Sequence, residues 1–231
     1  VPFTLAHPAA VLPLRRFLWF PGLVAGAMAP DLGYYVPVLP THDVLGGSLA
    51  AVVLLLVGRL LLPSVMALAP EFVRTRVSRP GDFRRPVLAA LSIVVGVLTH
   101  LLWDVFTQTD GWFVQQWDWL TISVVGPHRV YNVIGYVSSL GGLVLLAWIG
   151  LVAPRGNDWP SHPKISRYKI RAFVALAAIV GAAWSLSDPV SQASTYDWVR
   201  NLLLGVIQGT CAAVAVHAVL WGFKQSRHDR S

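Results

Sequence analysis

THLLWDVFTQTDGW, residues 99–112, ends a long apolar run with a histidine and an aspartate and then turns polar and aromatic. If the run is helical, His100 and Asp104 share one face about one turn apart. Ionisable groups at membrane depth are costly, so they mark a site by default. The rest of the chain decides whether this stretch is at membrane depth and what else reaches it.

The 231 residues are 55% hydrophobic and 13% charged, with a mean hydropathy of +0.59. These values exclude an ordinary soluble domain and point to an all-α, polytopic transmembrane bundle, folded as one integral-membrane domain over residues 1–231. The net charge of +7 does not imply a nucleic-acid partner, because the basic residues lie in short segments between apolar runs. Membrane lipids are the expected partners; oligomeric state is not legible. Cys211 is the single cysteine, which rules out an internal disulfide. No basic segment leads into an apolar stretch with a small-residue cleavage site, so uncleaved helices are expected to direct insertion.

About six spans are expected. Residues 1–20 carry Pro2, Pro8 and Pro13 together with Arg15 and Arg16, and read as an irregular N-terminal half-helix. The first span is expected over Phe17–Leu39, broken by Pro21, Pro30 and Asp31. The second opens at THDVLGG, where Thr41 or Asp43 can cap it, and runs to about Ala69. Further spans are expected over Val87–Thr107, Val133–Val152, Ala172–Leu186 and Leu202–Phe223. The loop holding Trp112, Phe113, Trp117, Trp119 and Tyr131 has the composition of a segment lying among lipid headgroups.

Six spans put Arg15, Arg16 and the basic residues of the second loop, the fourth loop and the C-terminal tail on one side, 15 of the 18 Lys and Arg. The positive-inside rule makes that side the cytoplasm, with both termini there. The expected setting is the cytoplasmic membrane of a bacterium.

The same topology brings Asp31, His42, His100 and Asp104 to one non-cytoplasmic edge, from three different spans. Two imidazoles and two carboxylates suit a divalent zinc, manganese or iron ion with room for water. An ion so held lowers the pKa of a bound water to about 7 and makes it a nucleophile toward phosphoryl or acyl centres. Asp31 and Asp104 are then the candidate catalytic carboxylates. Each residue has a plainer reading: His100 as a hydrogen-bonded packing residue, Asp43 as a helix cap, Asp110 beside Gly111 as a turn residue. His217 reads as structural, and His162 and His228 as solvated.

The ordered motifs HPAAVLPL, APDLGYY, TH before a glycine-rich helix start, and THLLWDVFT followed by DGW resemble the bacterial membrane family called domain of unknown function 4184, over nearly the whole chain. More distantly, the Pro30-Asp31 and Thr41-His42 pairs resemble membrane-bound metal-dependent hydrolases of the YdjM type. The resemblance implies a ligand set of His7, Asp31, His42, His100 and Asp104. Where such proteins commonly read FTH, this chain has Gln108, a poorer metal ligand than imidazole. His7 precedes Arg15 and Arg16, so a simple six-span topology puts it on the cytoplasmic side. To join the others it needs a re-entrant N-terminal half-helix.

The function these readings favour is a metal-dependent hydrolase working on a phosphate- or lipid-linked substrate at the outer membrane face, with His128 and Arg129 as anion contacts. A proton- or cation-coupled transporter could use the same His and Asp residues as a relay. A non-catalytic scaffold would use them to hold helices together.

Overall fold

The computed structural model describes residues 3–35, 40–77, 85–156, 159, 164–192 and 195–228. Among them run nine α-helices: α1 (Phe20–Met28), α2 (Leu32–Tyr35), α3 (Val44–Leu68), α4 (Glu71–Arg74), α5 (Pro86–Thr107), α6 (Trp112–Gln116), α7 (Val130–Val152), α8 (Lys164–Leu186) and α9 (Thr195–His228). A short antiparallel pair, β1 (Ser123–Val125) and β2 (His128–Arg129), is the only strand pairing among the described residues. The fold is thus the expected all-α, polytopic membrane architecture. Arg79, Arg84, Arg230, His162 and the end of the expected first span, residues 36–39, lie outside the described residues.

Five segments among the described residues are long and apolar enough to cross a membrane: Val44–Leu68, Pro86–Gln116, Val130–Val152, Ser166–Leu186 and Asp197–Leu220. The stretch expected as a first span, Phe17–Leu39, is not one of them. Pro21 lies in the first turn of α1, where its missing N–H costs nothing. Pro30 cannot continue the ladder, and the backbone tightens into a 3₁₀ turn over Ala29–Asp31. The nine residues of α1 reach only about 13 Å at 1.5 Å per residue, less than half of a bilayer core.

The chain divides into two compact units, with α3 passing from one into the other. The first holds residues 1–57 and 79–154. Its organising contact is α1 on α5. A Cβ placed on Gly26 would lie 2.3 Å from the Ile93 carbonyl oxygen, and one on Gly96 would lie 2.4 Å from that of Leu23. Only glycine at both positions lets the backbones meet so closely. The Trp19 N–H donates to Ser92 Oγ at the lower end of this contact, and Ala27 meets His100 at the upper end. The two helices therefore run parallel.

Ahead of α1, 3₁₀ turns over Thr4–Ala9 and Leu12–Arg16 bear out the irregular start expected for residues 1–20. Thr4 and His7 lie at the His100 end of α5, whereas Arg15, Arg16 and Phe17 line a cavity together with Leu145 and Ile149, well along α7. The chain then returns through α1. Residues 3–31 thus form a re-entrant hairpin that starts and finishes at the same end of α5, the arrangement His7 required.

At the start of α3, Asp43 is the cap: its Oδ1 accepts the Gly46 N–H at 2.8 Å. Thr41 does different work. Its hydroxyl donates to the Pro30 carbonyl at 2.7 Å and accepts the Gly33 N–H at 2.8 Å, tying the loop before α3 to the Pro30 turn.

The second unit, residues 58–78 and 155–231, is built on α8 and α9. Here too glycines set the spacing. A Cβ on Gly181 would fall 2.3 Å from the Gly205 carbonyl oxygen, and one on Gly209 would fall 2.1 Å from that of Ala177. Arg171 donates from Nε and Nη2 to the Leu68 carbonyl, at 2.9 and 2.6 Å, satisfying an orphan acceptor at the end of α3.

Candidate metal centre

Each of the four residues expected to converge is delivered by a local device. Asp31 closes the Pro30 3₁₀ turn, His42 sits in the loop that Thr41 ties to that turn, and His100 and Asp104 are one turn apart on α5. One ligand atom from each can be chosen so that all four lie within 4.8 Å of one another. Asp31, His100 and Asp104 are buried, while the His42 side chain is 41% exposed and forms the open edge.

Hydrogen bonds fix the chemistry of this convergence. His100 Nδ1 lies 2.8 Å from the Ala27 carbonyl oxygen. A carbonyl can only accept, so Nδ1 carries the proton and, in the neutral ring, Nε2 keeps its lone pair. That lone pair lies 3.4 Å from Asp31 Oδ1 and 3.2 Å from Asp104 Oδ2. The Thr4 hydroxyl donates to Asp31 Oδ2 at 2.5 Å, leaving Oδ1 for the centre. The Gln108 amide donates to Asp104 Oδ2, which also meets His42 Nε2 at 2.8 Å. Gln108 in turn accepts from the Tyr34 hydroxyl at 3.4 Å.

Asp31 Oδ1, His100 Nε2 and Asp104 Oδ1 are buried without a hydrogen bond. With the His100 ring neutral all three are acceptors, and buried acceptors without a donor are costly. A cation satisfies them together. Two nitrogens and two oxygens about 2.1 Å from a tetrahedral ion would stand about 3.4 Å apart, close to the His100 spacings. The 2.8 Å contact of His42 with Asp104 would have to open. The donor set therefore fits a divalent ion and comprises a cluster able to coordinate one.

His7 is brought to this end of the molecule but lies outside the set of four. Its ring stacks on His100 with centroids 4.0 Å apart, and its Nε2 is buried and unpartnered. Burial above all, with His100 beside it, pushes its pKa down to about 4. His42 moves the other way, raised mainly by its hydrogen bond with Asp104. His128 and Arg129 are exposed on the β-hairpin. His128 Nδ1 lies 3.3 Å from the Tyr136 hydroxyl, and the Arg129 N–H donates to Asn132 Oδ1 at the start of α7.

Sequence reasoning did not find Thr4, Tyr34 or the Ala27 carbonyl. Tyr34 stood inside the APDLGYY motif beside a louder neighbour, and Thr4 lay just ahead of HPAAVLPL. A backbone carbonyl has no sequence signature at all. Gln108, flagged only as a departure, is the amide that holds Asp104.

A helical membrane protein with a buried His and Asp cluster of metal-ligand composition is the class that fold and site define. The family model described as Domain of unknown function (DUF4184) matches residues 1–219, and the chain belongs to that family. No curated protein and no solved structure matches it.

Proposed function

We propose that this protein is a metal-dependent hydrolase of the bacterial cytoplasmic membrane, acting at the non-cytoplasmic face on a substrate with a lipid tail and a phosphate head. The observation that carries the reading is the convergence of three buried, unpartnered acceptors, Asp31 Oδ1, His100 Nε2 and Asp104 Oδ1, with His42 at the open edge.

Asp31, His42, His100 and Asp104 would hold the ion, for which zinc, manganese or iron suits the donor set. Bound there, it would supply Lewis-acid polarisation and lower the pKa of water. The chain's own residues do the rest. Ala27, Thr4 and Gln108 orient His100, Asp31 and Asp104, as outer hydrogen bonds do in metal sites generally. The exposed His42 edge admits water and the phosphate head; the carboxylate of Asp31 or Asp104 accepts the proton of the water that attacks phosphorus, the phosphorus–oxygen bond to the lipid breaks, and that proton passes to the departing lipid alcohol. Arg129 and His128 contact the anion from the hairpin. The likeness of the Pro30-Asp31 and Thr41-His42 pairs to YdjM-type proteins supports hydrolysis as the reaction.

Orientation follows from charge and crossing number. With the five crossings among the described residues, the bias of the basic residues favours a cytoplasmic C-terminus.

The test is phosphate release from dioleoyl phosphatidic acid by the full chain in phosphatidylcholine vesicles. Release is expected with zinc or manganese, to be lost with a chelator and in His100→Ala. Metal-loaded protein that releases none would end the hydrolase reading while leaving the metal centre intact.

A further inference from the structure

Beside the cluster, between the first 3₁₀ turn and α7, lies a cavity of about 320 Å³ whose walls include Ala6, His7, Ala9, Trp103, Ser139 and Gly141. We infer that this cavity holds an acyl chain of the lipid substrate, with His7 marking the end nearest the reacting phosphate. The inference rests on the hydrolase reading and adds to it the place where the tail is held.

Three independent observations carry it. The first is adjacency. Trp103 immediately precedes Asp104 on α5, and His7 both lines the cavity and stacks on His100, so cavity and cluster share a wall. The second is an unsatisfied group. His7 is 5% exposed, yet its Nε2 has no hydrogen-bond partner. A buried imidazole nitrogen at membrane depth needs one, and the lipid's glycerol or ester oxygens beside a bound tail provide it. The third is what surrounds the cavity. Its α7 wall belongs to a helix long and apolar enough to cross a membrane, with Val137, Leu140 and Val144 exposed on it. The medium beside the cavity is then hydrocarbon, and lipid is what enters from it. Small residues make the space: a Cβ on Gly141 would meet nothing within 4 Å. The volume is at the lower end of ligand cavities, enough for part of one chain and too small for a whole lipid.

The experiment uses the full chain in phosphatidylcholine vesicles doped with phosphatidic acid bearing a diazirine within one acyl chain. After illumination, crosslinks are mapped by peptide mass spectrometry, and metal content and phosphate release are measured on the same samples. Crosslinks are expected in residues 3–10 and at Ser138, Ser139, Gly141 and Gly142 at least fivefold above those on the outward residues Val137, Leu140 and Val144. Gly141→Leu fills the space without meeting backbone, so it should cut that excess at least fivefold with metal content unchanged. Leu140→Ala, on the outward face, should leave it unchanged. Crosslinks no denser in the cavity than on the outward face, or an excess that Gly141→Leu leaves intact, would overturn the inference. Metal-dependent phosphate release without the crosslink excess overturns the tail site alone. The excess without release supports the tail site and overturns the hydrolase reading.

Discussion

The α1–α5 and α8–α9 pairs are built by the same device and put to different uses. In both, glycines at the crossing bring backbone against backbone, through Gly26 and Gly96 in one and Gly181, Gly205 and Gly209 in the other. In α8–α9 the close approach only joins two long helices. In α1–α5 it sets a peptide carbonyl, that of Ala27, against His100 Nδ1 and so chooses which ring nitrogen faces two carboxylates. Close packing alone does not make a site. It makes one here because α1 is too short to be a span and leads directly into the 3₁₀ turn that carries Asp31.

The largest expected effect separates the two crossings. Gly96→Leu drives a side chain into the Leu23 carbonyl and should abolish metal binding, with a destabilisation of about 3 kcal/mol or more. Gly205→Leu makes a comparable clash with the Gly181 carbonyl and should destabilise comparably, while protein that still folds keeps its metal. Thermal unfolding in detergent and elemental analysis of the folded fraction check both. Equal metal loss in the two variants would erase the contrast.

Next in size are the groups that orient the ligands. Thr4→Val and Gln108→Ala each remove one hydrogen bond to a carboxylate and should weaken metal binding about 10- to 100-fold, measured by competition with a chromophoric chelator. Gln108→His should change metal content little, since position 108 acts on Asp104 and is not one of the four. A clear gain in that variant would mean that a ligand had been lost at this position.

A smaller effect is expected of pH. Asp104 raises the pKa of His42, so His42 holds a proton up to a higher pH than free histidine does. Ligation requires that proton to leave. Metal affinity should therefore fall as pH drops through the raised His42 pKa, and His42→Gln should flatten this part of the profile. Chelator competition between pH 5 and pH 9 reads it directly.

Much of the site was legible before the structure because its residues are costly in hydrocarbon. His100 and Asp104 announced themselves by spacing, and charge bias put Asp31 and His42 at the same edge. The count of spans was not legible. Phe17–Leu39 has the length and hydropathy of a span, but the chain reverses ahead of α1 and that helix ends at the Pro30 turn. The reversal ahead of α1 also brings His7 to the ring of His100. Hydropathy counts apolar residues and has no term for a helix that stops halfway.

The central claim is that Asp31, His42, His100 and Asp104 share one ion. The most direct measurement is the metal content of the detergent-purified chain after equilibration with zinc or manganese and removal of free ion. About one divalent ion per chain is expected, falling to near zero in folded His100→Ala and Asp31→Ala. Wild-type protein without bound metal, or variants that retain it in full, would contradict the account.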